Sequence, residues 1–339
     1  MRLTIQQDPT IVLDTGLSDS WVNAVVFHPD GIHLLSGSGG GIRRWRLADR
    51  REVGMQEGGT VGSICVSRDH KWVVCGTPEG ASVWDAGLRE RVIDVEGAHQ
   101  VWTVDVSPDS TRFAIGTDDS GVSVWSIASG RRLVGPLEHD GEVSGVKFSP
   151  NGEHFASACW QNSEIRVFDS HNGDELIDIT IETIALLRNP VAPLLWLNDG
   201  QRIFAASDDS KIKCFSVSTG SQLAESQILR DGDNDVQSIA LATNGSFIAT
   251  YSGRTIFFLD ASTLTRIGPV IDISEDIASI ALSPDNNHLA TGRHDGKISV
   301  HYLGHILPDV HDPQVCIRPF ITCAYRMCPI LSPPFDTFS

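Results

Sequence analysis

No stretch of this 339-residue chain approaches the 18 or so consecutive apolar residues that a membrane-spanning helix needs, and the opening MRLTIQQDPT carries no apolar core of a secretory signal. Those absences lead to the expectation of a soluble protein with no membrane partner, cytoplasmic, with the nucleus left open. Positive charge is scarce: 26 Lys and Arg stand against 43 Asp and Glu, a formal charge of −17. Such a surface repels phosphate backbones, so nucleic acid is not expected as a partner, whereas a basic or neutral polypeptide approaches more easily.

The usual marks of catalysis and metal binding are missing too. There is no Gly-x-Ser-x-Gly elbow, and no motif sets His and Asp beside a Ser or Cys nucleophile. No Cys-x-x-Cys pair occurs, and Cys316, Cys323 and Cys328, with His305 and His311, match no closed tetrahedral spacing, so neither a metal nor a cofactor is expected. Asp231, Asp233 and Asp235 begin like a calcium loop, but Val236 stands where that loop needs Gly and Ala242 where it needs a bidentate Glu. The run Gly37, Gly39, Gly40, Gly41 is followed by no helical pattern and no Lys, which makes it a hairpin turn and not a phosphate cradle. Of seven cysteines, Cys65, Cys75, Cys159 and Cys214 sit in apolar, strand-like surroundings and read as buried free thiols.

What the chain does contain is a repeat. The stretch VWTVDVSPDSTRFAIGTDDSGVSVWS, Val101 to Ser126, has three short apolar segments separated by Pro-Asp and Asp-Ser-Gly turns, the pattern of a strand meander. Its first segment places Val101, Val104 and Val106 out of strict alternation, which a bulge after Val101 corrects. Aligned copies end their first strand at Phe27, Val66, Val106, Phe148, Trp196, Leu241 and Leu282, with spacings of 39, 40, 42, 48, 45 and 41 residues. A second marker keeps step at Trp45, Trp84, Trp125, Phe168, Phe215, Leu259 and His301. Two markers sharing a period of about 40 residues predict an all-β, seven-bladed propeller of four-stranded blades. A ring must close, so Ile11 to Leu13 is expected to supply the outermost strand of the last blade. Residues 1–303 form the propeller on this reading. Residues 304–339, with six of 16 prolines and three of seven cysteines, form an irregular, poorly ordered tail, or one in which Val315–Ile317 competes for closure.

The VWD at Val83 to Asp85, the SPDS and SPNG turns, and His99 and His139 just ahead of strands resemble the WD40 repeat family over about residues 11 to 303. The resemblance implies a hydrogen-bonded tetrad of His, Ser or Thr, Asp and Trp within a blade, found complete once, as His99, Thr117, Asp119 and Trp125. It also implies a non-catalytic interaction module binding a polypeptide on the narrow rim of the ring. The positions that the alignment puts there are Trp21, Asn23 and Ser38, then Gln100, Trp102 and Asp118, then Glu142, Ser144 and Gln161, with Asp208, Asp235, Gln237, Asp276 and His294 from the later blades. Tryptophans among acids suit a segment carrying Arg or Lys. Two other roles are left open: a sensor propeller similar to those of fungal NACHT-type signalling proteins, and an enzyme of the central channel. The second would need ionisable groups where Val22, Val101, Val143, Val191, Val236 and Ile277 stand. Finally, Arg44 occupies a third-strand position that is Val83, Val124, Val167, Cys214, Phe258 or Val300 elsewhere, and must find a partner or snorkel outward. With Arg43 and Arg46 it forms a basic flank, either internally paired or a docking patch for an acidic partner.

Overall fold

The computed structural model describes residues 4–6, 11–18, 20–56, 58–96, 99–119, 121–159, 164–180, 194–207, 209–230, 232 and 236–307. The short apolar runs between turns form strands, and in blades one to six four consecutive strands make an antiparallel sheet. Blade one is Val22–Phe27, His33–Ser38, Gly41–Arg46 and Arg51–Gln56. Blade two runs from Ser63–Val66 to Arg91–Glu96, blade three from Val101–Val106 to Arg132–Glu138, and blade four from Val143–Phe148 to Glu175–Thr180. Blade five runs from Leu194–Trp196 to Gln222–Glu225 and blade six from Val236–Leu241 to Val270–Asp272. Blade seven takes Ile277–Leu282, His288–Arg293 and Lys297–Tyr302 from its own repeat.

Its fourth strand comes from the other end of the sequence, as ring closure requires. Ile11–Asp14 pairs antiparallel with Lys297–Tyr302, Ile11 facing Val300 and Leu13 facing Ile298. Leu13, Val22, Leu34 and Trp45 then share one apolar cluster with Ala290, Ile298 and Val300 across the seam, and the Ser279 hydroxyl donates to the Val22 carbonyl at 2.9 Å. A parallel pairing of Thr4–Gln6 with Val270–Asp272 adds a fifth strand to blade six, where the sequence offered only a polar lead. Packing also runs past the expected boundary at 303: Ile306 and Leu307 are buried against the blade-six and blade-seven core.

Two local devices set the geometry of the site. The bulge expected after Val101 is present, and the same register break recurs after Val22, Val143, Val236 and Ile277. At each, one extra residue drops out of the ladder and its side chain is re-aimed; Asn23, Trp102, Ser144, Gln237 and Ala278 are those residues. Glycine on the second strand lets the next blade approach: a Cβ on Gly116 would lie 2.7 Å from the Val143 side chain and 3.0 Å from its carbonyl oxygen. Entry into the first strand and the turn between second and third strands share one face of the ring. Turns between first and second strands lie on the opposite face.

Candidate functional site

On the face carrying the entries to the first strands, the bulged residues of blades one, three and seven converge. Trp21, Asn23, Gln100 and Trp102 line one cavity of about 200 Å³, together with Thr60, Gly62, Thr77, Pro78, Val101 and Ala278. Trp21 lies 47% exposed and stacks flat on His294, ring centroids 3.9 Å apart and planes within 5°. Burial lowers the proton affinity of His294, partly offset by Asp276, so the stack presents a neutral imidazole at ordinary pH. The Asn23 amide donates to the Val61 carbonyl at 3.3 Å, tying blade one to blade two. The Trp102 indole N–H is shielded and has no partner among the described residues.

Residues of blade two complete this cavity, and the sequence reading named none of them as binders. The register that picks Gln100, Trp102 and Asp118 in blade three picks Thr60, Gly62 and Thr77 in blade two. That signal was available, but small side chains do not stand out as anchors. Other expected rim residues fall elsewhere. Asp118 sits beside His99, Oδ1 to Nδ1 3.8 Å, and its backbone N–H donates to the Gln100 carbonyl at 3.0 Å. Glu142 is half-buried on blade four, outside the cavity lining. Ser144 is a correction: it is buried and its hydroxyl turns back to the Ala158 carbonyl at 3.4 Å, so a short bulged side chain caps backbone instead of facing a partner. Gln161, Asp208, Asp235 and Val191 lie outside the described residues, as do residues 308–339 with their three cysteines, and the acidic loop's Asp231 and Asp233.

The tetrad also needs correcting. Thr117 donates to the Asp119 carboxylate and to the Gly121 carbonyl, closing its own turn. His99, its side chain 62% exposed, lies against Asp119 at 3.4 Å, and the Trp125 N–H finds no acceptor among the described residues. The reason is register. In blade one, Trp45 pairs with Leu34 and its indole donates to Ser36, two residues further along, at 2.9 Å. In blade three, Trp125 pairs with Phe113, which puts Ile115 where the hydroxyl belongs. Blade four keeps the other half of the pattern, with His139 Nε2 and the Ser157 hydroxyl 2.7 Å apart, but Phe168 where the Trp would be.

The basic flank is engaged within the chain. Arg46 makes a bidentate pair with Asp49, closest contact 2.7 Å; Arg43 donates to the Thr15 carbonyl and to Glu52 at 3.3 Å; Arg44 reaches His33 at 3.2 Å. Three guanidiniums tied this way offer little to an acidic partner.

The central channel holds a cavity of about 130 Å³ lined in part by Asn23, Ser63, Thr103, Lys147, Ser238 and Ser279. Its hydroxyls fasten blades: Ser63 accepts from the Val104 N–H and Thr103 from the Val146 N–H. Burial works against the Lys147 charge, but Asp105, 2.9 Å away, outweighs it and holds the ammonium up to about 12, too high for a base or nucleophile at neutral pH. Burial likewise pushes the neighbouring Cys65 thiol up to about 12. Cys75, Cys159 and Cys214 are buried, as expected.

The family model described as WD domain, G-beta repeat matches residues 10–46, 91–126, 131–169 and 269–301. The chain belongs to the WD40 repeat family. The first matched segment starts at the closing strand and runs through three strands of blade one, so the WD40 sequence unit is staggered by one strand against the blade. Among curated relatives, Autophagy-related protein 16 of Arabidopsis thaliana is 26% identical over 256 residues, covering 71% of this chain and 48% of that protein. Serine-threonine kinase receptor-associated protein of Gallus gallus is 24% identical over 198 residues, 58% of this chain and 53% of that protein. Eukaryotic translation initiation factor 3 subunit I of Drosophila melanogaster is 24% identical over 226 residues, 64% and 68% respectively. The WD40 chain thus spans about half the length of the first two of these relatives.

Proposed function

We propose that this WD40 propeller is a non-catalytic scaffold that binds a polypeptide on its narrow face, in the pocket between Trp21 and Trp102. The observation that carries this reading is the half-exposed Trp21 ring, held flat by His294 beside an apolar cavity of about 200 Å³. An indole immobilised in this way loses little freedom on binding, and such aromatic anchors dominate interface energetics. Asp118, bonded through its backbone to the cavity-lining Gln100, and a formal charge of −17 favour a basic or neutral segment over an acidic one. The printed names of the relatives, which speak of receptor association and of a subunit of a larger factor, are in keeping with a binding role.

Affinity capture from cell extract with wild type and with the Trp21→Ala, Trp102→Ala double variant tests the site. Loss of two anchors worth about 2 kcal/mol each weakens a captured partner by a factor on the order of 10³. Equal recovery of the same partners by both proteins refutes the site. A sensor role within a larger signalling protein uses the same pocket, and the coverage of about half of two relatives is compatible with a propeller that is one module among several. We place the scaffold in the cytoplasm, with the nucleus left open; imaging of a fluorescent fusion decides.

A further inference from the structure

On the opposite face, the first turn of blade one departs from the repeat in a way that assembles metal donors. In blades two, three and seven a Ser hydroxyl closes this turn on an Asp: Ser67 to Asp69 at 2.6 Å, Ser107 to Asp109 at 2.5 Å, Ser283 to Asp285 at 2.6 Å. Blade four does the same with Ser149 and Asn151 at 2.7 Å. Blade one has His28 in place of that serine. Five residues on it has His33, where blades four and seven carry His154 and His288 without a second imidazole in the turn.

The resulting cluster is compact. Asp30 Oδ1 accepts the backbone N–H groups of Ile32 and His33, at 2.8 and 3.0 Å, which leaves Oδ2 facing both imidazoles. His28 Nδ1 is 2.9 Å from Oδ2 and His33 Nδ1 is 2.7 Å from it, all three atoms lying within 4.8 Å of one another. Both ring nitrogens also face other donors. The Asp30 N–H points at His28 Nδ1 from 3.2 Å, and the Arg44 guanidinium, which can only donate, reaches His33 Nδ1 at 3.2 Å. The 2.7 Å contact between His33 Nδ1 and Asp30 Oδ2 is a hydrogen bond when that nitrogen carries the proton; in the tautomer with both Nδ1 atoms as acceptors, two lone pairs and a carboxylate oxygen converge where a cation fits, with the Arg44 guanidinium 3.9 Å from Oδ2. His28 is 4% exposed, and its Nε2 is buried without a partner among the described residues.

We propose that His28, Asp30 and His33 form a binding site for a divalent transition-metal ion, with Arg44 occupying its cationic place when the metal is absent. The spacing indicates the type of ion. Metal–nitrogen bonds of about 2.0–2.1 Å place neighbouring ligands about 2.9 Å apart at right angles and about 3.3 Å apart in a tetrahedron. Separations of 2.7 and 2.9 Å lie nearer the right-angle value, and imidazole nitrogens with a carboxylate oxygen suit Cu(II), Ni(II) or Zn(II).

The chain's own repeats supply variants that keep the turn folded. His28→Ser restores the serine of four other blades and removes one ligand; Arg44→Val restores the valine found at this position in other blades and removes the competing charge. Untagged, chelator-stripped full-length protein is titrated with Ni(II) and with Cu(II) by calorimetry, and the Cu(II) form is examined by electron paramagnetic resonance for nitrogen ligation. One equivalent bound by wild type, binding weakened about 100-fold or more in His28→Ser, and binding tightened about tenfold or more in Arg44→Val support the site. No stoichiometric binding by wild type, or equal affinity in His28→Ser, overturns it. Unchanged affinity in Arg44→Val overturns the competing role of the guanidinium.

Discussion

His301 occupies the third-strand position that holds Trp45, Trp84 and Trp125 in the first three blades and Phe168 and Phe215 in the next two. It pairs with Leu289, is fully buried, and has no hydrogen-bond partner on either ring nitrogen among the described residues. Burial, reinforced by the positive charge of Arg293, depresses its proton affinity to about 4 from the ordinary 6.5. A depressed histidine binds protons more readily when unfolded, so stability falls as pH drops through 6.5 toward 4 and is undisturbed above that window. The difference of about 2.5 pH units corresponds to about 3 kcal/mol lost by pH 4. His301→Phe installs the residue that blades four and five already accommodate. At pH 7.5 it removes two unsatisfied nitrogens and is expected to stabilise by about 1–3 kcal/mol. At pH 4 the advantage grows to about 4–6 kcal/mol, because the variant no longer titrates there. Urea unfolding at several pH values measures this, with constant m-values showing that the same transition is compared. The other histidines cancel between the two proteins. Parallel stability profiles from pH 7.5 to 4 would refute the reasoning, since they would mean that water or a rearranged neighbour already satisfies the ring.

Two further substitutions probe how the blades are held. Ser36→Ala leaves the buried Trp45 indole N–H without its acceptor and is expected to cost about 1–3 kcal/mol in urea unfolding; no loss would mean that the indole finds water. Gly116→Ala drives a methyl into Val143 of the next blade and is expected to cost about 1–3 kcal/mol, whereas an unchanged midpoint would mean that neighbouring blades slide apart freely.

Much of this architecture was legible because it is local. Alternating apolar residues and Pro-Asp or Asn-Gly turns act within a few residues, and a period repeated around the ring averages out single departures such as Leu259 or His301. The closing strand was legible from topology alone, since a ring with an open edge is unstable. Failures came where two positions on one strand face share a side. Thr117 and Ile115 both point the same way, and only the pairing of Phe113 with Trp125 says which one lies beneath the indole. The pocket was half seen: Trp21 and Trp102 announce themselves, while Thr60 and Gly62 contribute shape and no conspicuous chemistry. The cluster of His28, Asp30 and His33 escaped because its spacing matches no familiar ligand motif, and depends on a turn bringing residues five apart within reach.

The pairing of Ile11–Asp14 with Lys297–Tyr302 also bears on how the molecule is made. A ribosome delivers one half of this clasp before the first blade and the other only after six blades have emerged. Throughout synthesis the nascent wheel carries an unlatched hem at each end, Leu13 having no apolar bed and the edge of the last sheet no cover. Cooperative stability therefore arrives as a single late event, and a ribosome that stalls before the final repeat releases a product with two sticky margins for chaperones to guard.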